Sequence, residues 1–126
     1  MSKKIINTPN APAPIGPYNQ SIMANGFLFI SGQIAIQPAS GNIEATTIEG
    51  ETDQVMKNLD AILKEAGLSF SHVVKTTIFL SDMSHFGMVN EVYAKYFTAD
   101  PPARETVAVK GLPKGVNVEI SMIAAA

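Results

Sequence analysis

The sequence contains no cysteine, and this absence excludes disulfide bonds, thiolate nucleophiles and cysteine-based metal sites. Charged residues make up only 16% of the chain, and 9 Lys and Arg stand against 11 Asp and Glu, for a net charge of -2. A chain without a positive excess lacks the electrostatic surface that binding to a phosphate backbone requires. The composition therefore disfavours nucleic acid as a partner.

Long apolar runs are also missing, and none approaches the ~18 residues that a membrane-spanning helix needs. The N-terminal segment MSKKIINTPNAP has two lysines, but only Ile5 and Ile6 follow before polar residues and proline. The apolar region of a signal peptide is therefore absent. We predict a soluble, cytoplasmic protein with no membrane partner.

The length of 126 residues predicts a single domain, 1–126, with one core of two layers. Hydrophobic residues make up 46% of the chain, which is slightly rich for a soluble protein of this size. We expect part of that surplus to lie in interfaces between subunits.

Turn signals and alternation predict strands in the first third of the chain. Asn25-Gly26 separates two β-prone runs and predicts a hairpin with strands near 20–24 and 27–32. The stretch QIAI continues the strand pattern, and PASGN at 38–42 is a further turn cluster.

Two helices follow from a change of period. A capping box at Thr46 and Glu49 and a C-terminal stop at Gly67 predict a helix over 47–66. Its apolar stripe is Val55, Leu59, Ile62, Leu63 and Ala66. A second helix begins after a cap at Asp82 or Ser84 and ends before the Pro101-Pro102 pair. Its stripe is Phe86, Val89, Tyr93 and Tyr96 or Phe97.

The remaining strands are predicted at 72–80, 103–109 and 117–124, with GLPKG as the turn between the last two. The order of elements predicts an α+β fold, in which both helices cover one face of a mixed sheet.

Alternation in the last two strands predicts which face each charge occupies. On 117–124 the apolar face is Val118, Ile120, Met122 and Ala124, so Glu119 lies on the other face. On 103–109 we assign Val107 and Val109 to the helix-covered face, which leaves Arg104 opposite. Arg104 and Glu119 are thus predicted to leave neighbouring strands on the face away from the helices, while Glu105 points the other way from Arg104. That helix-free face is small and semi-polar, which predicts a closed homo-oligomer with sites at the subunit seams.

Several segments together resemble the reactive intermediate deaminase (Rid, formerly YjgF) family. They are IGPYNQS at 15–21, ISGQI at 30–34, VVKTTIFLSDM at 73–83, VNEVYAKYF at 89–97, PPARETVAV at 101–109 and NVEISMIA at 117–124. The resemblance covers nearly the whole chain in the family's order. It implies a chorismate-mutase-like subunit in a homotrimer with a barrel-like core and clefts between subunits. It also implies cofactor-free hydrolysis of 2-imino acids such as 2-iminopropanoate and 2-iminobutanoate, or their enamines, to 2-keto acids and ammonia. A protonated imine is already a strong electrophile, so we expect no metal.

The resemblance also implies roles for individual residues. Arg104 would bind the substrate carboxylate and Glu119 would hold the attacking water. The rest of the cleft would comprise Tyr18, Ser31 and backbone groups of Gly32 and Thr106, with Asn90 peripheral or structural. Two positions depart from the family pattern: Thr106 replaces a common cysteine, and Glu105 replaces a small residue, which puts substrate preference in doubt.

Arginine and glutamate suit this chemistry. The planar guanidinium of Arg104 can make two parallel hydrogen bonds to a carboxylate, which lysine cannot do. Glu119 can orient and deprotonate a water aimed at the imine carbon, and Glu119 or Tyr18 can return the proton to the leaving ammonia.

Other interpretations of the same residues stay open. Arg104 and Glu119 could form a cross-strand salt bridge, Tyr18 could be a turn aromatic, and Ser31 could simply end a strand. His72 and His85 have no partners at metal-ligand spacing. Two other functions compete with the deaminase: an endoribonuclease or translation inhibitor, and a non-catalytic module that binds 2-keto acids or other small carboxylates.

Overall fold

The computed structural model describes residues 2–126, which form a six-stranded sheet, a two-stranded ribbon and two α-helices. In chain order the strands are β1 (Lys4–Ile6), β2 (Ser21–Ala24), β3 (Phe27–Gln33), β4 (Ile36–Gln37), β5 (Asn42–Ile43), β6 (Val73–Leu80), β7 (Ala103–Ala108) and β8 (Val118–Ala125). Helix α1 (Ile48–Glu65) precedes β6, and helix α2 (Phe86–Ala94) connects β6 to β7. The predicted α+β class is confirmed, whereas β1 and β5 had no counterpart in the prediction.

The large sheet is mixed and runs in the order β1-β2-β3-β8-β6-β7. Every neighbouring pair is antiparallel except β6 and β7, which are parallel and joined by the crossover through α2. Strand β6 therefore lies between β7 and β8. The prediction that Arg104 and Glu119 come from neighbouring strands is wrong.

Both helices pack on one face of this sheet and share one apolar core with it. The core side of α1 is completely buried at Val55, Met56, Leu59, Ile62 and Leu63. It packs with sheet residues that point to the same side, which are Leu28, Ile30, Ile78, Ile120 and Met122. Helix α2 adds Val89 and Tyr93 to the same cluster. Burying aliphatic side chains of this size is the main favourable contribution to folding.

The start of helix α1 and its N-cap each lie one residue later than predicted. Thr47 is the N-cap, and its hydroxyl oxygen accepts a hydrogen bond from the Gly50 N–H at 3.0 Å. The predicted capping box at Thr46 and Glu49 is therefore wrong. The stop is as predicted, because Gly67 adopts a φ of 75° beyond the last turn.

The hairpin between β2 and β3 is confirmed. Asn25 and Gly26 have φ values of 52° and 80°, the left-handed conformations of a two-residue turn with right-handed strand twist. Ala24 pairs with Phe27 across it. Further along, β3 shifts register against β8 between Ile30 and Gln33. That bulge displaces the backbone of the two residues between them.

The sheet face away from the helices, here called the open face, is partly apolar. Phe27, Phe29 and Val107 point to it and are exposed. None of the helices in residues 2–126 has the length and apolar character that crossing a bilayer requires.

Candidate functional site

Arg104 lies on the helix-covered face of the sheet. It pairs with Thr76 of β6, which pairs in turn with Met122 of β8. Directly paired residues point to the same side, and Met122 is only 2% exposed in the core. The prediction that Arg104 shares the open face with Glu119 is therefore wrong. The alternation of β7 was assigned in the wrong phase, because Val107 belongs to an open face that is itself apolar.

Helix α2 accommodates the charge of Arg104 on this face. Nη1 of Arg104 donates a hydrogen bond to Oδ1 of Asn90 at 2.8 Å. The guanidinium carbon lies 5.0 Å from the ring centroid of Tyr93 and 5.7 Å from that of Phe86. Such stacking favours a cation and fixes the plane of the guanidinium.

A shallow pocket surrounds the guanidinium at the sheet edge. It is lined by Asn90, Tyr93, Ala94, Phe97, Pro101, Pro102 and Arg104. Within residues 2–126 no carboxylate forms an ion pair with Arg104. Neighbouring Glu105 points to the open face, where Lys75 Nζ lies 2.9 Å from its Oε1 and Thr77 donates to its Oε2. The prediction that Glu105 does not neutralise Arg104 is confirmed.

Glu119 lies on the open face, in the centre of the sheet. It pairs with Phe79 of β6, and its side chain is half-buried. Burial disfavours the charged form and raises the pKa of the Glu119 carboxyl group. Among residues 2–126 no cation forms an ion pair with Glu119. An acid with a raised pKa is suited to accept a proton from water.

The bulge of β3 makes room for this carboxyl group. A Cβ atom built on Gly32 would overlap Oε2 of Glu119 and lie 2.9 Å from its carboxyl carbon. Real Cβ atoms do not approach so closely. Glycine at this position is therefore required for the observed place of the Glu119 side chain.

Tyr18 borders the same cavity, which encloses about 40 Å³. Glu119, Gly32 and Tyr18 line it together with apolar residues such as Ile34 and Pro113. The Tyr18 hydroxyl oxygen accepts a hydrogen bond from the Ile15 N–H at 3.3 Å, which leaves its own hydrogen available to donate. Tyr18 is thus part of this site and is exposed, rather than packed in the core.

Ser31 and Thr106 lie on different sides of the sheet. Ser31 does not line the Glu119 cavity but a separate pocket that it shares with Tyr18 and Ser121, and its hydroxyl group donates to the Asn19 carbonyl oxygen at 2.7 Å. Thr106 lies two residues after Arg104 on the helix-covered side, and its Oγ1 is buried without a partner in residues 2–126. The structure thus brings Glu119, Gly32 and Tyr18 together, and separately brings Arg104 and Asn90 together.

The structure also places the predicted cap of α2 and the side chains that could bind a metal ion. Asp82 Oδ1 accepts a hydrogen bond from the Ser84 N–H at 2.8 Å, so Asp82 caps the short turn Met83–His85 that leads into α2. The N-cap of α2 itself is His85, not Asp82 or Ser84 as predicted. The described part of the chain holds no cluster of three or more His, Asp or Glu side chains arranged as metal ligands.

Comparisons with known proteins agree on one family. The family model described as "Endoribonuclease L-PSP" matches residues 8–126. A RutC family protein of Pyrococcus horikoshii is 52% identical over 97% of each chain. A mouse protein named 2-iminobutanoate/2-iminopropanoate deaminase is 47% identical over 97% of this chain and 90% of its own. A crystal structure of a Rid family protein of unknown function, YyfA from Yersinia pestis, has a TM-score of 0.97 at 48% identity and covers 99% of this chain and 100% of that chain.

Proposed function

The chain belongs to the endoribonuclease L-PSP (YjgF/Rid) family, and from this premise we propose that it hydrolyses reactive 2-imino acids to 2-keto acids and ammonia. The name of the mouse relative supports this reaction, with 2-iminopropanoate and 2-iminobutanoate as substrates. Other relatives carry different names, such as RutC family protein, so the substrate rests on the chemistry of the site.

The observation that carries the proposal is a guanidinium and a carboxyl group that both lack a charged partner in residues 2–126. They lie on opposite faces of one sheet, so a single chain does not join them. We therefore propose a homotrimer with clefts between copies, in which Arg104 of one copy meets Glu119 of a neighbouring copy. The apolar open face, with Phe29 and Val107 exposed, supports association of copies.

The reaction follows from these groups. The substrate carboxylate binds to Arg104, which places the C=N carbon in the cleft. The substrate reacts as its protonated imine. Glu119 takes a proton from a water molecule whose oxygen bonds to the C=N carbon, and the C=N π electrons pass to nitrogen, which gives a neutral carbinolamine. Glu119 then returns its proton to that nitrogen, or the Tyr18 hydroxyl donates to it. Ammonia leaves with the C–N electron pair as the C=O bond forms, and the carbinolamine hydroxyl proton passes to the group that gave its proton to nitrogen.

The raised pKa of Glu119 suits this role. A general base is most effective when its pKa approaches the working pH, and burial moves the pKa of Glu119 in that direction. General base catalysis of this kind contributes about 100- to 10,000-fold to a rate.

The direct test measures keto acid and ammonia released from 2-aminoacrylate generated in situ. We expect Glu119→Gln to lose about 100-fold or more in kcat. Arg104→Ala should raise KM by about 10- to 100-fold, because it removes a charge-assisted pair of hydrogen bonds. Undiminished rates for both variants would refute the assignment.

A complementation test addresses the site between copies. Arg104→Ala and Glu119→Gln chains are unfolded together, refolded and assayed as a mixture. Random assembly pairs an intact Arg104 with an intact Glu119 in some clefts, so about a quarter of the wild-type rate should return. A site within one chain would give no recovery, and the composite site would then be rejected.

The separation of the two groups also favours a second candidate, the non-catalytic binding module. A chain that stays monomeric keeps the Arg104 pocket, where Asn90 and two aromatic rings hold the guanidinium. No carboxyl group of residues 2–126 lines that pocket. Light scattering and keto acid titration distinguish the two functions. A monomer that binds keto acids equally well as wild type and as Glu119→Gln would favour the module. Tighter binding with lost turnover in that variant would favour the enzyme.

A further inference from the structure

The first residues of β8 are held by one side chain of α1. Glu51 lies about one turn into that helix and is only 6% exposed. Its Oε2 accepts hydrogen bonds from the backbone N–H groups of Asn117 at 2.7 Å and Val118 at 2.9 Å, and its Oε1 accepts one from Asn117 Nδ2 at 3.1 Å. One buried carboxyl group thus satisfies three donors just before Glu119.

Asn117 and Val118, which lead into Glu119, are held by β6 as well as by α1. Ser81, at the end of β6, donates its N–H to the Asn117 carbonyl oxygen at 2.9 Å and its hydroxyl to Asn117 Oδ1 at 2.8 Å. Val118 is completely buried. The backbone that enters Glu119 is therefore held by hydrogen bonds and packing, and a shift there would move the Glu119 side chain against Gly32.

Helix α1 also holds a second backbone segment that lines the cavity, again through a buried polar side chain. Asn58, seven residues after Glu51 and on the same side of the helix, is 1% exposed. Its Nδ2 donates to the carbonyl oxygens of Ile34 and Ile36, each at 3.0 Å. Both isoleucines line the cavity that contains Glu119. Two buried polar side chains of one helix therefore hold the two backbone segments that lead into the lining of this cavity.

We infer that Glu51 is a positioning residue for Glu119, which it places through its hydrogen bonds to Asn117 and Val118. The catalytic consequence rests on the proposed imine hydrolysis, whereas the placement itself does not. Glu51 contacts neither substrate nor water in this scheme. It acts through the start of β8, and its removal should lower the rate of the chemical step without weakening carboxylate binding.

The test uses Glu51→Gln, which keeps the size of the side chain but replaces one acceptor oxygen with an NH₂ group that faces N–H donors. We expect kcat to fall about 10- to 100-fold, because small displacements of a catalytic group cost this much. KM should stay within about twofold, since Arg104 is held by α2 and lies on the other face. The matched control is Asp53→Asn, the same chemical change on α1 at a side chain bonded to Tyr96, and its kcat should be unchanged.

A double-mutant cycle separates positioning from plain structural support. If Glu51 acts through Glu119, adding Glu51→Gln to Glu119→Gln should cost less than about twofold more. A merely structural role would lower the rate by the same factor in both backgrounds. That result, an unchanged kcat in the single variant, or a rise in KM alone would overturn the inference.

Two further measurements test the inference if Glu51→Gln does not fold or if the wild-type chain does not hydrolyse imines. If Glu51→Gln fails to fold, Asn117→Ala removes only the side-chain bonds to Glu51 Oε1 and from the Ser81 hydroxyl group, and should lower kcat by about 3- to 10-fold. If the wild-type chain hydrolyses no imine, crystal structures of wild type and Glu51→Gln decide the placement. A displaced or doubled Glu119 side chain would uphold the inference although the proposed function fails, and an unmoved one would reject it.

Discussion

Arg104 and Glu119 sit in different structural settings. Arg104 lies on the edge strand β7, where Asn90, Tyr93 and Phe86 of α2 hold its guanidinium. Glu119 lies on the central strand β8, where the backbone of a bulge and the missing side chain of Gly32 make its space. The surroundings of Arg104 consist of side chains, which can be substituted one at a time. The surroundings of Glu119 depend on the position of the β3 backbone, so substitutions there should reduce activity more.

The largest effect should come from breaking the Glu119 setting with Gly32→Ala. The added Cβ overlaps the carboxyl group, which must move, and kcat should fall about 100-fold with little change in KM. Steady-state kinetics on 2-aminoacrylate measure both constants. Gly111→Ala is the matched control, because a Cβ there meets no atom within 4 Å. Equal activity of the two variants would contradict the steric argument.

Substitutions of Arg104 should mainly raise KM. Arg104→Lys keeps the charge but loses the planar pair of donors and the stacking on Tyr93, so KM should rise about tenfold. The value of kcat should change little once the substrate is bound. A variant with wild-type KM would show that the guanidinium does not bind the carboxylate.

A smaller effect should follow from Asn90→Asp. A carboxylate placed 2.8 Å from Arg104 Nη1 would compete with the substrate anion, and KM should rise about fivefold. Glu91→Gln alters charge at the next, exposed position of α2 and serves as the control. Similar KM values in the two variants would argue against competition for Arg104.

The pH dependence should come from the Glu119 setting. Burial raises the pKa of Glu119 above the ordinary glutamate value of about 4.3. The base must be ionised, so kcat should fall as the pH is lowered through that raised pKa. KM should stay flat over the same range, because arginine keeps its charge. A kcat that does not change with pH in wild type would remove Glu119 as the base.

The smallest expected effect concerns stability. Because the folded-state pKa of Glu119 is raised, its contribution to stability is fully present below the unfolded-state pKa and is lost as the pH rises through the folded-state value. Glu119→Gln avoids that loss, so its Tm should exceed that of wild type at pH 7. At pH 4 the difference should shrink. Thermal unfolding at both pH values gives the comparison, and a lower Tm at pH 7 would contradict it.

Local patterns predicted most of the fold. The Asn25-Gly26 hairpin, helix α1 and the stop at Gly67 each depend on a few adjacent residues, and each is found close to its predicted place. Strand β1 was not predicted, because it has only three residues and because its partner β2 is separated from it by a long loop. The position of β6 between β7 and β8 depends on contacts between distant segments. A β-α-β order does predict parallel neighbours, and that rule would have placed β7 beside β6.

The candidate site was predicted less well. Alternation alone could not fix the face of Arg104, because both sides of β7 carry apolar residues and α2 supplies partners for a charge. Asn90 was missed as the partner of Arg104, although a signal exists. It lies four residues after Phe86 and three before Tyr93, on the apolar stripe of α2. An amide on such a stripe needs a polar partner, and β7 beneath the helix provides it.

Arg104 and Glu119 lie on opposite faces of the sheet, and in the proposed trimer this arrangement has a genetic consequence. Every cleft then draws on two chains, and a chain that lacks both groups spoils the two clefts it borders. In a mixed population, activity falls with the square of the fraction of chains that are intact. If half of the chains are defective, about a quarter of the wild-type activity remains. Defective alleles of such a protein should therefore act dominantly, even though each encodes a well-folded subunit.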